Sequence, residues 1–353
     1  METGKHIKKI EKLIKNIVEN PNNSDNYLEL AKLYLSGKEY DLAINVYESL
    51  LSFETSNFVA LTNLGSIYFC KYDFLKAVNY YSRAANLGVE NASVYYNLGN
   101  AYAELGEFKQ AMSNYIKALN IDKNNYQVYS AIALLYQDQH NYQEALVYFE
   151  KALKLNNVIP ENYTNTAFVL MKLGRYTEAV EYFARALSIL PNNYKIMLYT
   201  ANAYSSARKY NEANKLFEKV LKAEASYYQA YICYGISLYE QGKIDEALEM
   251  YNNAILINPE LVNAYILIGN IYSAEQKYEE AAEFYKKALE LEPADANIYT
   301  LLGNTYVMLQ DLRSAISCYK QAIDIETDND EIKLIYIEIV QEFVNNKVND
   351  NAA

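Results

Sequence analysis

The chain contains no tryptophan, two histidines, three cysteines, five prolines and eleven glycines in 353 residues. Each shortage removes a class of protein. So little Gly and Pro leaves too little turn material for the many hairpins of a β-rich fold, which points to helices. Two His leave almost no scope for metal sites or for His-based acid–base chemistry. Cys70, Cys233 and Cys318 are odd in number, widely spaced and form no CxxC pair, which argues against a disulfide framework or a zinc site. Each reads as a small buried or half-buried apolar residue in a reducing compartment. No run of about 18 apolar residues exists, so no transmembrane helix is expected. The start Met-Glu-Thr-Gly-Lys-His lacks the apolar core of a secretory signal, and a cytoplasmic location is expected. Positive charge is scarce too. The net charge is −12 and the sequence pI about 4.9, so the basic footprint that nucleic acid requires is missing.

What the chain does have is a period. Alanine recurs at 43, 77, 111, 145, 179, 213, 247, 281 and 315, every interval being 34 residues. With this Ala at position 20, nine repeats run from Ser24 to Asn329, starting at 24, 58, 92, 126, 160, 194, 228, 262 and 296. Position 8 is always Gly or Ala, and position 24 is always Tyr or Phe. Position 27 is Ala in seven repeats, and position 11 is Tyr in seven. Apolar residues recur at 4, 7, 8 and 11 and again at 20, 21, 24, 27 and 28, both with helical spacing. Gly106, Gly174 and Gly242 mark a turn between the two series, and Asn, Asp or Pro ends the second. The spacing predicts a helical hairpin per repeat, helix A at about positions 1–14 and helix B at about 17–30. A single hairpin cannot bury its apolar face, so the hairpins must stack.

The third repeat, "ASVYYNLGNAYAELGEFKQAMSNYIKALNIDKNN", resembles the tetratricopeptide repeat almost column by column, and the resemblance covers residues 24–329. It departs where the family often has Trp: position 4 is Tyr in seven repeats, with Leu61 and Met197 in the others. The resemblance implies an all-α fold, a right-handed superhelical αα-solenoid whose helix-A side lines a concave groove for a partner segment. Residues 1–23 then read as an N-terminal capping helix with an apolar face from Ile7 to Val18. Residues 330–345 read as a C-terminal solvating helix, and 346–353 as a disordered tail.

Of the 38 Tyr, 25 occupy the packing positions 4, 11, 17 and 24. Tyr96, Tyr199 and Tyr239, at positions 5, 6 and 12, face away from helix B and are candidates for contact. Positions 2, 5, 6, 9, 12 and 13 are the groove candidates. Asn recurs there as Asn63, Asn97, Asn100, Asn202, Asn270 and Asn304, a ladder of amides able to bind an extended peptide backbone. The competing reading is that Asn is common at position 9 of this repeat and abundant throughout the chain. Repeats five to eight are apolar on the same side (Phe168, Met171, Leu198, Tyr199, Ile232, Ile236, Tyr239, Ile266), as anchors for a bound segment or as contacts with the next repeat. Position 5 never carries Lys or Arg, so the carboxylate clamp by which some family members grip chaperone tails is not expected.

The expected function is therefore non-catalytic: a scaffold or adaptor for a protein or peptide partner, with no cofactor. Residues 240–299 hold 12 acids against 4 Lys, which favours a basic partner near the C-terminal half or forms a solvated outer face. The basic amphipathic start (Lys5, Lys8, Lys9, Lys12, Lys15) fits a capping helix, and membrane contact is not expected. No Ser-His-Asp grouping, phosphate loop or HExxH is present. Two other functions stay open, a structural subunit of a secretion, pilus or cell-envelope assembly, and a regulatory arm for a separate enzyme such as a transferase.

Overall fold

Helices account for every element of the computed structural model, which describes residues 2–352; no strand occurs among them. The chain divides into two compact units, Met1–Arg175 and Tyr176–Ala353, the division falling in the turn of repeat five. The first unit comprises α1 (Glu2–Glu19), α2 (Ser24–Ser36), α3 (Tyr40–Phe53), α4 (Phe58–Cys70), α5 (Phe74–Ala85), α6 (Ala92–Glu104), α7 (Phe108–Ile121), α8 (Tyr126–Asp138), α9 (Tyr142–Leu155) and α10 (Pro160–Lys172). The second comprises α11 (Tyr176–Ile189), α12 (Tyr194–Ser206), α13 (Tyr210–Ala223), α14 (Tyr228–Glu240), α15 (Ile244–Ile257), α16 (Val262–Ala274), α17 (Tyr278–Leu291), α18 (Ala296–Met308), α19 (Leu312–Ile325) and α20 (Asp330–Ala352). Within each unit every helix packs on its neighbours in sequence, the stacked αα-hairpin arrangement that the period implies.

The repeat columns have direct physical causes. All nine position-20 alanines are fully buried, so any larger side chain there would push helix A from helix B. Position 34 supplies the helix cap. Asn57, Asn91, Asn125, Asn193 and Asp295 accept backbone N–H groups of the next helix A, as Asn23 does for α2. These five asparagines are thus capping residues. Position 15 has a positive φ in every repeat, at Gly106, Gly174 and Gly242 but also at Lys38, Tyr72, His140, Arg208, Gln276 and Gln310. A side chain in this left-handed region costs about 1 kcal/mol. His140→Gly and Gln276→Gly should each raise the unfolding free energy by about that amount in urea melts.

Both ends differ from the expectation. Among the described side chains of α1 only Leu13 is buried, while Ile7, Ile14 and Val18 are exposed; a lone helix has a neighbour on one side only. Lys9, where the repeat has Ala, pairs with Glu29 at 2.7 Å. The side chain of Lys5 lies outside the described residues. At the other end α20 does not stop at Asn345 but runs to Ala352, so the tail expected to be disordered is helical that far, because nothing in 346–352 breaks a helix. Ala353 lies outside the described residues. Ile332 is buried there, and Ile335, Tyr336 and Ile339 pack against the last repeat.

Cys318 is buried, Cys233 half-buried and Cys70 exposed, all three as free thiols. Cys70 therefore corrects the expectation of burial, since it ends α4 at the surface. Burial pushes the Cys318 thiol up to about 11 and raises that of Cys233, so neither is an activated nucleophile.

Candidate binding groove

The ring at position 24 organises the inner face of each hairpin. In repeats two, three, seven, eight and nine it is Tyr, and it lies flat against a glycine at position 8. A Cβ added at Gly99 would sit 2.5 Å from Tyr115 Cε1, and Gly65 and Gly269 are as tightly covered by Tyr81 and Tyr285. Repeats four, five and six pair Ala at position 8 with Phe at position 24, and repeat one pairs Ala31 with Tyr47. The tyrosines reach past position 8 to the residue beside it. Tyr115, Tyr285 and Tyr319 donate their hydroxyls to Oδ1 of Asn100, Asn270 and Asn304 at 2.8, 2.7 and 2.6 Å. Tyr81 bonds Ser66 at 3.0 Å. Asn63 donates to Tyr47 Oη at 2.9 Å, and Asn202 points Nδ2 at Cys233 Sγ at 3.4 Å.

Five of the six candidate amides thus hold the scaffold together. Only the amide of Asn97 has no partner among the described residues. The position-9 asparagines are half a ladder at most: Oδ1 is committed, and Nδ2 of Asn100, Asn270 and Asn304 remains a donor. Burial pushes Tyr285 and Tyr319 up to about 12 and raises Tyr115 and Tyr251 also. A raised folded pKa stabilises the native state below the tyrosine's ordinary value near 10, and the benefit is lost as pH climbs through the folded value. Helicity should accordingly fall between about pH 10 and pH 12, and ultraviolet titration should show these phenols ionising only as the helices melt.

The apolar set of repeats five to eight separates on inspection. Leu198 and Ile232 are buried in the core of the second unit, the contact alternative for those two. Tyr199 is half-buried, its ring 6.2 Å from Phe183 and beneath Lys195 at 6.0 Å. Ile236 and Tyr239 are exposed, at 39% and 41%. Phe168, in the first unit, is half-buried.

In the first unit, helix-A faces enclose a cavity of about 400 Å³. Tyr96 and Asn100 of the sequence-predicted residues line it; the other candidates do not. Around them stand Phe69, Glu104, Gln127, Ser130, Ala131, Leu134 and Asp138. All seven occupy positions 2, 5, 6, 9, 12 or 13. Their register marked them, while their residue types, neither Asn nor part of an apolar run, did not. Ala103, at position 12, lines it too, and Tyr115, Leu135, Tyr126, Ile159 and Asn162 complete the wall from outside those positions.

That last wall follows from a local irregularity. Pro160 stands at the first position of α10, and the linker 156–159 is extended with no turn. Ile159 takes the cap place without a side-chain cap. Asn162, one turn on, is only 4% exposed. Its Oδ1 accepts from Ser130 Oγ at 2.9 Å, and its Nδ2 has no hydrogen-bond partner. A buried amide donor without an acceptor costs about 1–3 kcal/mol.

Among the described residues no cluster of His, Cys, Asp or Glu could hold a metal ion, and no helix is long and apolar enough to cross a membrane. The helix-A face offers amide donors, aromatic rings and two carboxylates, the means of recognition by contact.

Family models described as tetratricopeptide repeat match residues 24–57, 92–125, 130–194, 170–232 and 296–329, and one described as TPR repeat matches 235–276 and 269–310. Among curated proteins no match is found. Solved structures share the fold. A tetratricopeptide repeat protein from Parabacteroides merdae is 21% identical, with a TM-score of 0.57 over 70% of this chain and 98% of its own. Yeast Tom70 is 17% identical, with 0.53 over 99% and 87%. The C-terminal part of a TPR repeat-containing protein from Cytophaga hutchinsonii is 17% identical, with 0.52 over 78% and 99%. Period, hairpin geometry and family models agree that this chain belongs to the tetratricopeptide repeat family, as a solenoid of nine such repeats.

Proposed function

We propose that the chain is a non-catalytic protein–protein interaction scaffold that takes an extended segment of a partner against the helix-A faces of repeats two to five. The observation that carries this reading is the cavity at the groove positions together with the buried, unpartnered amide of Asn162 beside it. An extended segment presents a carbonyl every residue, which is what Nδ2 of Asn162 lacks, and the donors of Asn100 and Gln127 line the same cavity. The three free thiols suit a reducing, cytoplasmic setting. The acid excess of 240–299 falls largely on exposed helix-B positions such as Asp245, Glu246, Glu279 and Glu280, where a basic partner would meet it.

Ala131→Trp fills the cavity from its floor and tests the reading. Short random peptides selected on the wild-type protein should fail to bind this variant, with helicity retained. Peptides that bind both equally would refute it. Asn162→Leu carries a second expectation. The change removes the unsatisfied donor together with the Ser130 bond to Oδ1, and Ser130 keeps the Tyr126 carbonyl as acceptor, so thermal stability should be unchanged or higher, while peptide affinity drops. A variant less stable by more than 2 kcal/mol would make Asn162 a structural residue (about the full cost of breaking a satisfied buried bond).

One competing surface has a specific basis. Tyr72 and Leu75, 81% and 72% exposed at the turn into α5, form an apolar spot on the opposite helix of repeat two. A structural subunit that used its outer face would use such a spot.

A further inference from the structure

We infer that the cavity of the first unit is an anchor site for an arginine side chain of the bound segment; the inference rests on the peptide-binding reading above. Four aromatic side chains, Phe69, Tyr96, Tyr115 and Tyr126, line the cavity. Two carboxylates, Glu104 and Asp138, line it as well, both on exposed residues at position 13 of successive repeats. No Lys or Arg lines it, so nothing in the cavity neutralises the two acids.

Aromatic faces beside uncompensated carboxylates select among side chains. A guanidinium is planar, stacks on rings and donates two parallel hydrogen bonds to a carboxylate. A lysine ammonium would find the charge but stack poorly. A neutral apolar chain would fill the aromatic part and leave both acids without a counterion. An acidic chain is repelled. The volume of about 400 Å³ is at the small end for a ligand site and suits one long side chain with the backbone on either side of it. Arginine has donors only, so it cannot satisfy Nδ2 of Asn162. The carbonyl of the same segment can once the Asn162 side chain, whose Nδ2 is closed to solvent, turns toward the cavity, and the two contacts together then fix both the anchor and its direction. The net charge of −12 adds long-range attraction for a basic segment.

The test is a selection of short random peptides on the purified full chain, followed by affinity measurement on a selected peptide labelled with fluorescein. Arginine should be enriched at one position among the peptides whose binding is lost in Ala131→Trp. Replacing it by norleucine should weaken binding by about tenfold or more, and by lysine less. Glu104→Gln with Asp138→Asn should weaken the arginine peptide by a similar factor and leave the norleucine peptide unchanged. Peptides that depend on Ala131 without arginine enrichment, or equal losses for both peptides in the double variant, would overturn the inference and leave the groove standing. If no selected peptide depends on Ala131, the groove reading falls and the anchor with it. The peptide substitutions need no change in the protein, so the result does not hang on the folding of a variant.

Discussion

Truncating Phe149 to alanine is expected to cost the first unit about 3–5 kcal/mol, the usual loss when a fully buried aromatic is removed from a core that cannot collapse around the hole. Phe149, on α9 at position 24 of repeat four, is 0% exposed. The two helices of a repeat have no other large ring at that depth, and repeat arrays share energy only between neighbours. The damage should therefore centre on α8 and α9. Helix α8 carries Tyr126, Gln127, Ser130, Leu134 and Asp138 of the cavity, so the same variant should lose peptide binding. Urea denaturation followed by circular dichroism measures the first effect. A loss below 1 kcal/mol would show that the ring at position 24 is not the keystone of the hairpin (a surface substitution costs that little).

Gly99→Ala should cost about 1–3 kcal/mol, although it adds one methyl group to a helix that would otherwise welcome alanine. The new Cβ would sit 2.5 Å from Cε1 and 2.6 Å from Cδ1 of Tyr115, so the ring must move and its bond to Asn100 must lengthen. By propensity alone the change would stabilise by about 1 kcal/mol, so the sign of the measured effect decides between the two. The expected partner effect is as telling. Tyr115→Phe should cost less in the Gly99→Ala background than in the wild type, since the Ala-with-Phe pairing is the one that repeats four to six use. A stabilised Gly99→Ala protein would mean that helix A and helix B are not held at the spacing the ring requires.

The sequence made the hairpins legible because their constraints are absolute. No side chain larger than alanine fits at position 20, and a 34-residue interval without insertion leaves one register for nine repeats. Observed helices A span positions 1–13 and helices B 17–30 in most repeats. The turn at position 15 was legible at three glycines and hidden at six residues that adopt the same positive φ at a cost. Asparagine misled in two ways. At position 34 it caps the next helix, and at position 9 it is the acceptor for a tyrosine from helix B; neither use is visible without the partner residue. The cavity was half legible. Position alone marks Glu104, Ser130, Leu134 and Asp138, but Ile159 and Asn162 enter because Pro160 displaces the usual turn, a change of one linker that no column records. Leu198 and Ile232 show the limit of reading a face from register, since both are buried in the core of the second unit.

The central claim is that the helix-A face of the first unit, rather than the outer helix, receives the partner. A photocrosslinking amino acid at position 96, in place of Tyr96, or at position 75, in place of Leu75, measures this directly in the native cell. Both sites are in the first unit, Tyr96 in the cavity wall and Leu75 exposed on α5. The account predicts a discrete crosslinked partner from position 96, abolished by Ala131→Trp, and none from position 75. Crosslinking from position 75 alone would contradict it and assign the interaction to the outer face.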